Sequence, residues 1–412
     1  MSLIKLFAVG HSYVVKEYQK ALDILGDNGF AITLLTPDAY KEGGRYINAS
    51  TLSGNIKHYR FSTLFGKQGK QHFHIYINLL KIAYLFMINK PDILYLYEEP
   101  NSLVTLEFVL LSKIFSRKTK IIIWTSNDVF RNYKKIYKFY DIRRYLFDFN
   151  IKINSLLTDA SIATSVEAKD VLRRKKYFKK IYITHTHAID LNFLFPINKQ
   201  NEIFQIGFIG RLEYQKGLQI LLKAINVLKK HHKIESFRLL VYGDGGKKNE
   251  FMKYCNQNNL NQNILWRGFY NYNELNSIMN SFDILVVPSI TDGVVKEKFG
   301  RVIIEGMACG IPVIVSNSGG MPYVGGVAVK KFEEGDHIEL SNLIMEFLKN
   351  HQLIKEYSQL GLYRVKNFFS YNAVSSSFYK IFKDLLSDYS SSNEIYINNY
   401  RVVDNENSHT YI

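Results

Sequence analysis

The stretch KEKFGRVIIEGMACGIPVIVSNSGG, residues 296–320, contains a helix pattern, a strand pattern and a pair of glycines in close succession. Apolar residues at helical spacing predict a helix over residues 300–308, and the apolar run at 313–315 predicts a buried strand. Gly319 and Gly320 follow that strand directly. A helix that leads into a short apolar strand, with glycines just beyond it, is typical of a parallel sheet covered by helices.

The same alternation of strand and helix patterns extends along most of the chain. Alternating strands and helices indicate a parallel sheet built from strand–helix–strand units. Two series are present, one before residue 125 and one after residue 203. The predicted strands lie at 3–9, 31–35, 93–96, 121–124, 204–209, 238–242, 264–267, 284–287 and 313–315, and the predicted helices at 14–25, 103–114, 217–229, 273–280 and 300–308.

Two such series predict an α/β fold with two doubly wound, Rossmann-like parallel-sheet domains facing a cleft. We expect an N-terminal domain at residues 1–197 and a C-terminal domain at 198–370, because the polar stretch at 196–202 separates the two patterns. A helix at 371–387 is expected to pack back on the N-terminal domain, and residues 388–412 are expected to form a polar tail. Open parallel sheets bind ligands beyond the carboxyl ends of their strands, so we expect the functional site there.

The composition is that of a folded protein with an excess of positive charge. Of the 412 residues, 47% are hydrophobic and 22% are charged, which excludes a disordered chain. The 53 Lys and Arg against 37 Asp and Glu give a net charge of +16, which favours an anionic partner. The two cysteines, Cys255 and Cys309, are too few for a disulfide framework and fit a reducing compartment.

The N-terminal sequence MSLIKLFAVGHSY lacks the basic start, the long apolar stretch and the cleavage site of a signal peptide. The most apolar long stretch, residues 75–89, is interrupted by Lys81 and is shorter than the roughly 20 apolar residues of a spanning helix. This stretch predicts a core or interfacial helix. We therefore expect a cytoplasmic protein, with a peripheral position on the inner face of the membrane as an option.

The loop GRLEYQKG, residues 210–217, lies between a predicted strand and a predicted helix. Its two cations, Arg211 and Lys216, have the charge needed to grip a diphosphate between them, and the start of the helix adds backbone N–H donors. The alternative is a solvated surface turn with incidental cations. The loop alone leaves both interpretations open.

Two carboxylates, Glu297 and Glu305, are the second candidate feature. A wholly helical span between them would rise roughly 12 Å, which is too far for two groups that share a proton. They suit two separate hydroxyl groups on one long ligand, such as a sugar and a ribose, and the helix start near Gly300 suits a phosphate. The alternative is two surface glutamates, but Glu305 lies in an apolar run, where a carboxylate needs a partner.

These motifs together resemble the donor domain of GT-B glycosyltransferases and, more narrowly, of glycosyltransferase family 4, also called group 1. The resemblance rests on the loop at 210–217, on the Glu297-x7-Glu305 element and on the strand ILVVPS at 284–289. In the first domain, Gly10 and the segments DILYLYEEP and HAIDLNFLFP are similar to the family's first turn, its acidic-Pro strand end and its domain exit.

The resemblance implies a UDP- or GDP-type nucleotide-sugar donor as substrate, net retention of the anomeric configuration, no cofactor and no required metal. Arg211 and Lys216 would hold the diphosphate and stabilise the leaving nucleotide, and Glu297 would hold the donor-sugar hydroxyls; these three are the predicted catalytic residues. The remaining donor-binding residues would be Glu305 for the ribose, Phe299 and Gly300 near the sugar-phosphate, Gly319 and Gly320 along the pocket, and Gly10, which would let the first domain close on the donor.

Five polar residues after the predicted strands of the first domain are candidates for contacts with the acceptor or the sugar. For each of them, a capping role or a hydrogen bond within a loop is the alternative. They are His11, Glu98, Glu99, Asn127 and Asp128.

Most of the positive charge lies in residues 113–180, which contain 18 Lys and Arg against 6 Asp and Glu, with interleaved aromatic residues. A basic and aromatic surface suits an anionic membrane surface or a lipid-phosphate acceptor. No nucleic-acid fold motif is present, so nucleic acid is not an expected partner. A solvated basic face without a partner remains the alternative.

The sequence thus predicts a retaining glycosyltransferase that moves a sugar from a nucleotide-sugar donor to a glycan or lipid-linked acceptor, in the synthesis of cell-surface polysaccharide or glycoconjugates. The alternative from a different class is a catalytically silent GT-B-like subunit that binds a partner glycosyltransferase or a glycan. The presence of Arg211, Lys216, Glu297 and Glu305 argues against the silent subunit.

Overall fold

The structure, a computed structural model, divides the chain into two compact units. The first unit comprises Met1–Ala188 and Tyr371–Asn399, and the second comprises Ile189–Ser370 and Tyr400–Ile412. The structure describes residues 2–42, 45–52, 54–68, 72–127, 129–136, 138–198, 201–293, 296–387, 394–397, 402–405 and 408–411.

The boundary between the units follows Ala188, nine positions before the predicted boundary at 197/198. Ile189 is buried, its backbone N–H donates to Phe369 O at 2.9 Å, and it forms a parallel bridge with Ser370. Leu194 is buried in the same core cluster of the second unit. These contacts assign the segment after Ala188 to the second unit.

The first unit is built on apolar strands that alternate with helices. Strands such as β8 and β10 are buried along their whole length, which is why they read as continuous apolar runs in the sequence. The strands are β1 (Ile4–Val9), β2 (Phe30–Pro37), β3 (Ala39–Glu42), β4 (Arg45–Asn48), β5 (Ile56–Phe61), β6 (Thr63–Leu64), β7 (Ile75–Tyr76), β8 (Ile93–Leu96), β9 (Lys120–Thr125), β10 (Ala160–Ala163) and β11 (Lys180–Ile183). The helices are α1 (Lys16–Gly26), α2 (Leu79–Asn89), α3 (Leu103–Phe115), α4 (Tyr133–Ile136), α5 (Arg143–Leu157) and α6 (Val166–Arg174).

The second unit repeats the alternation with six strands. These are β12 (Phe204–Ile209), β13 (Phe237–Tyr242), β14 (Ile264–Gly268), β15 (Ile284–Val287), β16 (Val313–Ser316) and β17 (Val329–Phe332). The helices are α7 (Leu218–Lys230), α8 (Lys248–Gln257), α9 (Leu275–Met279), α10 (Arg301–Ala308), α11 (Met321–Gly325), α12 (His337–Lys349) and α13 (His351–Arg364), and a π-helical turn follows at Val365–Phe369.

The C-terminal segment begins with α14 (Tyr371–Leu386), which packs on α1 in the first unit. Phe378 and Phe382 on this helix are buried in the core of that unit beside Tyr95. The chain continues with β18 (Glu394–Tyr396), β19 (Val402–Asn405) and β20 (Ser408–Tyr411). The strand β18 pairs in parallel with β11, whereas the sequence predicts only a polar tail in this region. The strand was not predicted because three residues are too few to show a period.

Both main sheets are parallel and doubly wound, which confirms the predicted fold class. The eight strands of the first sheet are ordered β18-β11-β10-β9-β8-β1-β2-β5, and the six of the second are ordered β14-β13-β12-β15-β16-β17. The order along the chain reverses between β1 and β8 in the first sheet and between β12 and β15 in the second. Loops that follow the two strands at such a point diverge and leave a crevice at the carboxyl edge of the sheet.

The apolar stretch at 75–89 forms β7 and α2. Helix α2 buries Ile82 and Phe86 and exposes Leu80, whose side chain is 86% exposed. Among the described residues, no helix is both long enough and apolar enough to cross a membrane.

Glu107 on α3 is an ionisable group in the interior of the first unit. Its Oε2 accepts a hydrogen bond from the Tyr76 backbone N–H at 3.0 Å, and its buried Oε1 has no hydrogen-bond partner among the described residues. Burial raises the pKa of Glu107 from 4.5 to about 7, and the Tyr76 N–H opposes part of that rise.

The raised pKa predicts that Glu107 destabilises the first unit as the pH rises. The folded state holds this proton more tightly than the unfolded state, so the stability present below the unfolded pKa of 4.5 is lost progressively up to about pH 7. Glu107→Gln keeps the acceptor for Tyr76 and removes the titration. We expect urea unfolding to show the variant gaining about 2 kcal/mol over the wild type between about pH 5 and about pH 8.

The matched control is Glu17→Gln, which changes an exposed carboxylate on α1. A difference in unfolding free energy between the wild type and Glu107→Gln that stays constant over this pH range would contradict the assignment.

Candidate functional site

The reversal of strand order in the second unit carries a cavity of about 240 Å³. Its walls come from the ends of β12 and β15 and from the loops and the helix start that follow them. The residues around it include Ile209, Lys216, Val287, Pro288, Ser289, Glu297, Gly300 and Arg301.

Two of the predicted catalytic residues meet at this cavity. The Nζ of Lys216 donates a hydrogen bond to Oε2 of Glu297, and the two form a half-buried ion pair. The other oxygen, Oε1 of Glu297, accepts the backbone N–H of Gly300 at 3.3 Å. Lys216 and Glu297 are 81 positions apart in the chain, and the neighbouring strands β12 and β15 bring their loops together. The pair places one cation and one carboxylate, each with limited access to water, at the carboxyl edge of the sheet.

Gly217 holds the Lys216 loop against the end of β15. Its φ is +73°, and a Cβ at this position would lie 1.7 Å from the backbone oxygen of Pro288. Only glycine permits this approach together with this backbone conformation. The tight turn therefore sets how far Lys216 extends toward Glu297.

The third predicted catalytic residue, Arg211, lies on the same loop and is exposed. The residues around the cavity include Lys216 but not Arg211. Within the described part of the chain, its guanidinium makes no ion pair. Arg211 is therefore a solvated cation on the loop that carries Lys216.

Glu305 is buried on α10 and is paired with Arg301, one helical turn earlier. Nε of Arg301 lies 3.0 Å from Oε1 of Glu305, and Nη2 of Arg301 donates to the hydroxyl of Tyr272 at 3.3 Å. Burial raises the pKa of Glu305, and the Arg301 charge opposes that rise. Arg301 lines the cavity and was missed by the sequence analysis, although its spacing from Glu305 is that of an ion pair on one helix face.

The predicted glycines and Phe299 support the Glu297 segment. Gly300 is the N-cap of α10 with a φ of +69°. The backbone N–H of Gly320 donates to Glu297 O at 2.9 Å, and a Cβ at Gly319 would lie 2.1 Å from that same oxygen. The ring of Phe299 packs edge-on against Phe369 at 5.9 Å. These residues therefore fix the backbone that presents Glu297.

The reversal of strand order in the first unit carries a buried polar cluster. The backbone N–H of His11 donates to Oε1 of Glu98 at 2.8 Å, and Nδ1 of His11 lies 2.7 Å from the same oxygen. Nε2 of His74 lies 3.5 Å from it. Burial by itself raises the pKa of Glu98, but the two histidines lower it far below its ordinary value. Gly10 precedes this contact, and a Cβ there would lie 3.0 Å from Cβ of Tyr97.

The ligand-type atoms of His11, His74 and Glu98 all lie within 4.8 Å of one another, a spacing compatible with a three-ligand metal site. The same atoms also form the histidine–carboxylate contacts described above. His74 was missed as a partner because 24 positions separate it from Glu98.

Glu99 connects the ends of two strands in the first unit. Its Oε2 accepts from Thr125 Oγ1 at 2.7 Å and from Asn127 Nδ2 at 2.8 Å, and its Oε1 accepts from the Ser126 backbone N–H at 3.0 Å. The buried carboxylate therefore holds the loop after β9. The remaining predicted residue, Asp128, lies outside the described residues.

Comparison with known proteins shows what most of the second unit resembles. Residues 192–363 match the family described as "Glycosyl transferases group 1". The uncharacterized glycosyltransferase MJ1607 of Methanocaldococcus jannaschii is 35% identical over 132 residues, which cover 32% of this chain and 32% of the relative. The alignment therefore spans about a third of that relative's length. MJ1059 of the same organism is 26% identical over 344 residues, covering 72% of this chain and 80% of the relative.

Solved structures share the fold of both units. A glycosyltransferase from Rickettsia africae ESF-5 has a TM-score of 0.67 at 17% identity and covers 94% of this chain and 100% of its own. Anabaena Alr3699/HepE, solved in complex with UDP, has a TM-score of 0.61 at 15% identity and covers 93% of this chain and 100% of its own.

The two doubly wound sheets, with a cation and a carboxylate at the strand reversal of the second, define the GT-B class of fold. Within its second unit, residues 192–363 are similar to the group 1 glycosyl transferases.

The tight turn at Gly217 predicts a large and specific cost of adding a side chain. Gly217→Ala is expected to destabilise the second unit by about 2 kcal/mol more than Gly268→Ala. Both glycines have positive φ, +73° and +70°, but a Cβ at Gly268 has nothing within 4 Å. The comparison therefore isolates the clash with Pro288. Denaturant unfolding measures both variants, and equal losses would show that the loop does not press on β15.

Proposed function

We propose that this protein is a retaining, metal-independent glycosyltransferase that moves a sugar from a UDP- or GDP-type nucleotide sugar to a glycan or lipid-linked acceptor. The observation that carries the proposal is the Lys216–Glu297 pair at the strand reversal of a group 1 domain. A similar structure supports the donor class, since Anabaena HepE was solved with UDP and with UDP-glucose.

Transfer to the acceptor begins with the bond between the anomeric carbon and the diphosphate oxygen, which breaks with its electrons going to the diphosphate. Negative charge therefore grows on the leaving group, next to where the Lys216 ammonium would lie. A fixed cation in a half-buried site stabilises this charge without reorganising in the reaction. Arg211, solvated on the same loop, adds a planar donor fork for the diphosphate once the donor is bound.

On donor binding, Glu297 would lose its ion pair with Lys216 and bind the donor sugar instead. When a diphosphate takes the charge of Lys216, the carboxylate of Glu297 becomes an acceptor for sugar hydroxyls, while Gly300 N–H keeps it in place. Glu305, oriented by Arg301, would accept hydrogen bonds from the ribose hydroxyls. The two carboxylates thereby hold opposite ends of one donor.

Net retention follows if the acceptor attacks on the face that the diphosphate leaves. The acceptor oxygen forms the new bond to the anomeric carbon, and its proton passes to the departing phosphate oxygen. This scheme requires no protein base and no metal, and the oxocarbenium character of the transition state is offset by the adjacent anion. His11, Glu98, Glu99 and Asn127 remain our candidates for acceptor contacts at the strand ends of the first unit.

The acceptor class is proposed from the surface of α5. Tyr145, Phe149, Lys152 and Leu156 recur at helical spacing along one side of this helix and are exposed. An apolar stripe with an embedded lysine suits the interface of an anionic bilayer. We propose a cytoplasmic protein that works at the inner membrane face on a lipid-linked acceptor, in the synthesis of a cell-surface glycan.

Lys216→Ala tests the donor site. We expect nucleotide release from the turned-over donor to fall by about 10²- to 10³-fold, because the developing diphosphate charge loses its cation. A panel of nucleotide sugars, screened first by thermal stabilisation, identifies the donor. Turnover is then measured with and without membrane extract as the acceptor source.

The matched control is Lys223→Ala, which removes an exposed lysine from α7 and should keep wild-type turnover. Wild-type activity in Lys216→Ala at equal fold content would reject the donor site. Turnover that appears only when a partner glycosyltransferase is added would support the silent subunit instead.

Vesicle binding tests the proposed membrane surface. We expect cosedimentation with vesicles that contain anionic lipid, little with zwitterionic vesicles, and a steep loss as salt screens the charges. Tyr145→Ser with Phe149→Ser removes two exposed aromatic rings from this side of α5 and should weaken binding by about tenfold. The control Phe269→Ser with Tyr363→Ser removes two rings from the second unit that are more exposed than those on α5. Equal effects of the two pairs would reject this surface.

A further inference from the structure

The first unit contains a cavity of about 910 Å³ beside α5, separate from the strand reversal that carries His11 and Glu98. One wall is the C-terminal half of α5, and another is the end of α6 with the connection that leads to β11. The volume is in the range of small-molecule sites. The cavity lies wholly within the first unit, so its shape depends on that unit alone.

The lining combines an apolar wall with a cluster of cations. Leu156 and Phe178 both line the cavity and are 63% and 71% exposed, an unusual state for large apolar side chains. Of the described residues around the cavity, five are cations and one is a carboxylate, Asp148. The cations are Lys152, Arg174, Lys175, Lys176 and Lys179.

Lys175 is the most constrained of these cations. Its Nζ donates to Arg131 O at 2.7 Å, lies 3.5 Å from Oδ1 of Asp148, and sits 3.9 Å from the centre of the Tyr133 ring. Burial lowers the pKa of Lys175, and Asp148 opposes that change. The one carboxylate of the cavity is thus already shared with Lys175, which leaves the other four cations without an acidic partner inside the cavity.

The cavity adjoins the strand ends of the first unit. A narrow second cavity of about 30 Å³ shares Ile151 and Lys175 with it and is lined also by Asn101, Thr125 and Asn127. Asn127 donates to Glu99 at the carboxyl edge of the sheet. Ile151 and Lys175 therefore line both the cationic cavity and the narrow cavity that reaches the polar groups at the ends of β8 and β9.

We infer that this cavity binds a phosphate-bearing lipid, with the phosphate among the cations of the α6–β11 connection and the chain along Leu156 and Phe178. An anion relieves the mutual repulsion of crowded cations, and an apolar chain covers the exposed side chains. The cations and the apolar wall select this ligand only together. Free phosphate would leave the apolar wall exposed, and a nucleic acid has no hydrocarbon chain to cover it. The lipid's role as the glycosyl acceptor rests on the proposed function, whereas its binding does not.

Ligand comparison on the wild-type chain is the first test. By calorimetry below micelle formation, we expect decyl phosphate to bind at least about tenfold more tightly than either decyl glucoside or inorganic phosphate. A short single-stranded oligonucleotide should not displace it. Equal affinity of decyl phosphate and decyl glucoside, or displacement by the oligonucleotide, would overturn the inference.

Two further ligands distinguish the sources of the phosphate. Geranyl phosphate represents a single-chain lipid carrier, and dihexanoyl phosphatidylglycerol represents a bilayer headgroup. Tighter binding of the first indicates a carrier lipid, and tighter binding of the second indicates a bilayer lipid. Failure of both to bind more tightly than decyl glucoside would overturn the inference.

Charge reversal locates the binding site. Arg174→Glu with Lys179→Glu, both at exposed positions, should weaken decyl phosphate binding by about tenfold or more. The control Arg117→Glu with Lys118→Glu makes the same change in net charge at exposed positions of the same basic region but outside the cavity. Equal weakening by the two pairs would mean that the whole basic surface binds anions without a site.

Thermal stabilisation by the donor nucleotide separates this inference from the proposed function. If the cavity variants keep that stabilisation but decyl phosphate fails on the wild type, only the cavity is rejected. If decyl phosphate binds as expected but no nucleotide sugar stabilises or reacts, the donor site is rejected and the lipid site stands. Should the reversed pair not fold, the ligand comparison on the wild type decides alone.

Discussion

The second unit depends on the divergence of two neighbouring strands. β12 and β15 are adjacent and parallel, yet the chain continues from them toward opposite edges of the sheet, so the loops that follow must part. The gap is bridged by the ion pair between Lys216 and Glu297, and Gly217 allows the first loop to contact Pro288. Gly319 and Gly320 then press on the backbone of Glu297 and Lys298 from the next strand end. One ion pair thus marks the point where three loops are held together, and each glycine nearby is required by that approach.

Both sheets reverse their strand order, but the charged groups at the two reversals differ. In the second, the reversal carries a half-buried cation and carboxylate that a charged ligand is able to separate. In the first, the equivalent position carries Glu98 enclosed by His11 and His74, and the neighbouring Glu99 is committed to the loop at 125–127. A ligand can separate Lys216 from Glu297 in the second unit by moving side chains that are partly accessible to solvent. Separating Glu98 from His11 and His74 in the first unit would leave a buried charge without its partners. The more adaptable of the two reversals is therefore the one in the unit that matches the group 1 family.

The sequence predicts the strands and the residue types of the site, but not which distant residues pair with one another. β8, β12 and β15 have their predicted bounds because strands buried on both faces appear as uninterrupted apolar runs. Lys216 and Glu297 were identified by their place at strand ends, but their pairing depends on a strand order that no local pattern encodes. The same holds for His74 beside Glu98. The ion pair of Arg301 with Glu305 could have been predicted, since the two residues are only four positions apart on one helix. The pairing of β18 could not have been predicted, because Lys169 and Arg173 on α6 form ion pairs with Glu394 on this strand, and they are more than 220 positions away in the chain.

The return of α14 and β18 to the first unit has a consequence for the order of synthesis. The six strands of the second unit's main sheet have all left the ribosome by Phe332, and the helices and π-helical turn that cover them by Phe369. The first unit, although it begins at the N-terminus, still lacks the helix that covers Phe30 and Tyr95. Domains usually complete themselves in chain order during translation. Here the core of the domain that starts first is completed only by α14, after the main sheet of the second unit has been made. Until α14 emerges, the first unit presents an uncovered aromatic face, which makes it the half of the molecule most dependent on protection from aggregation.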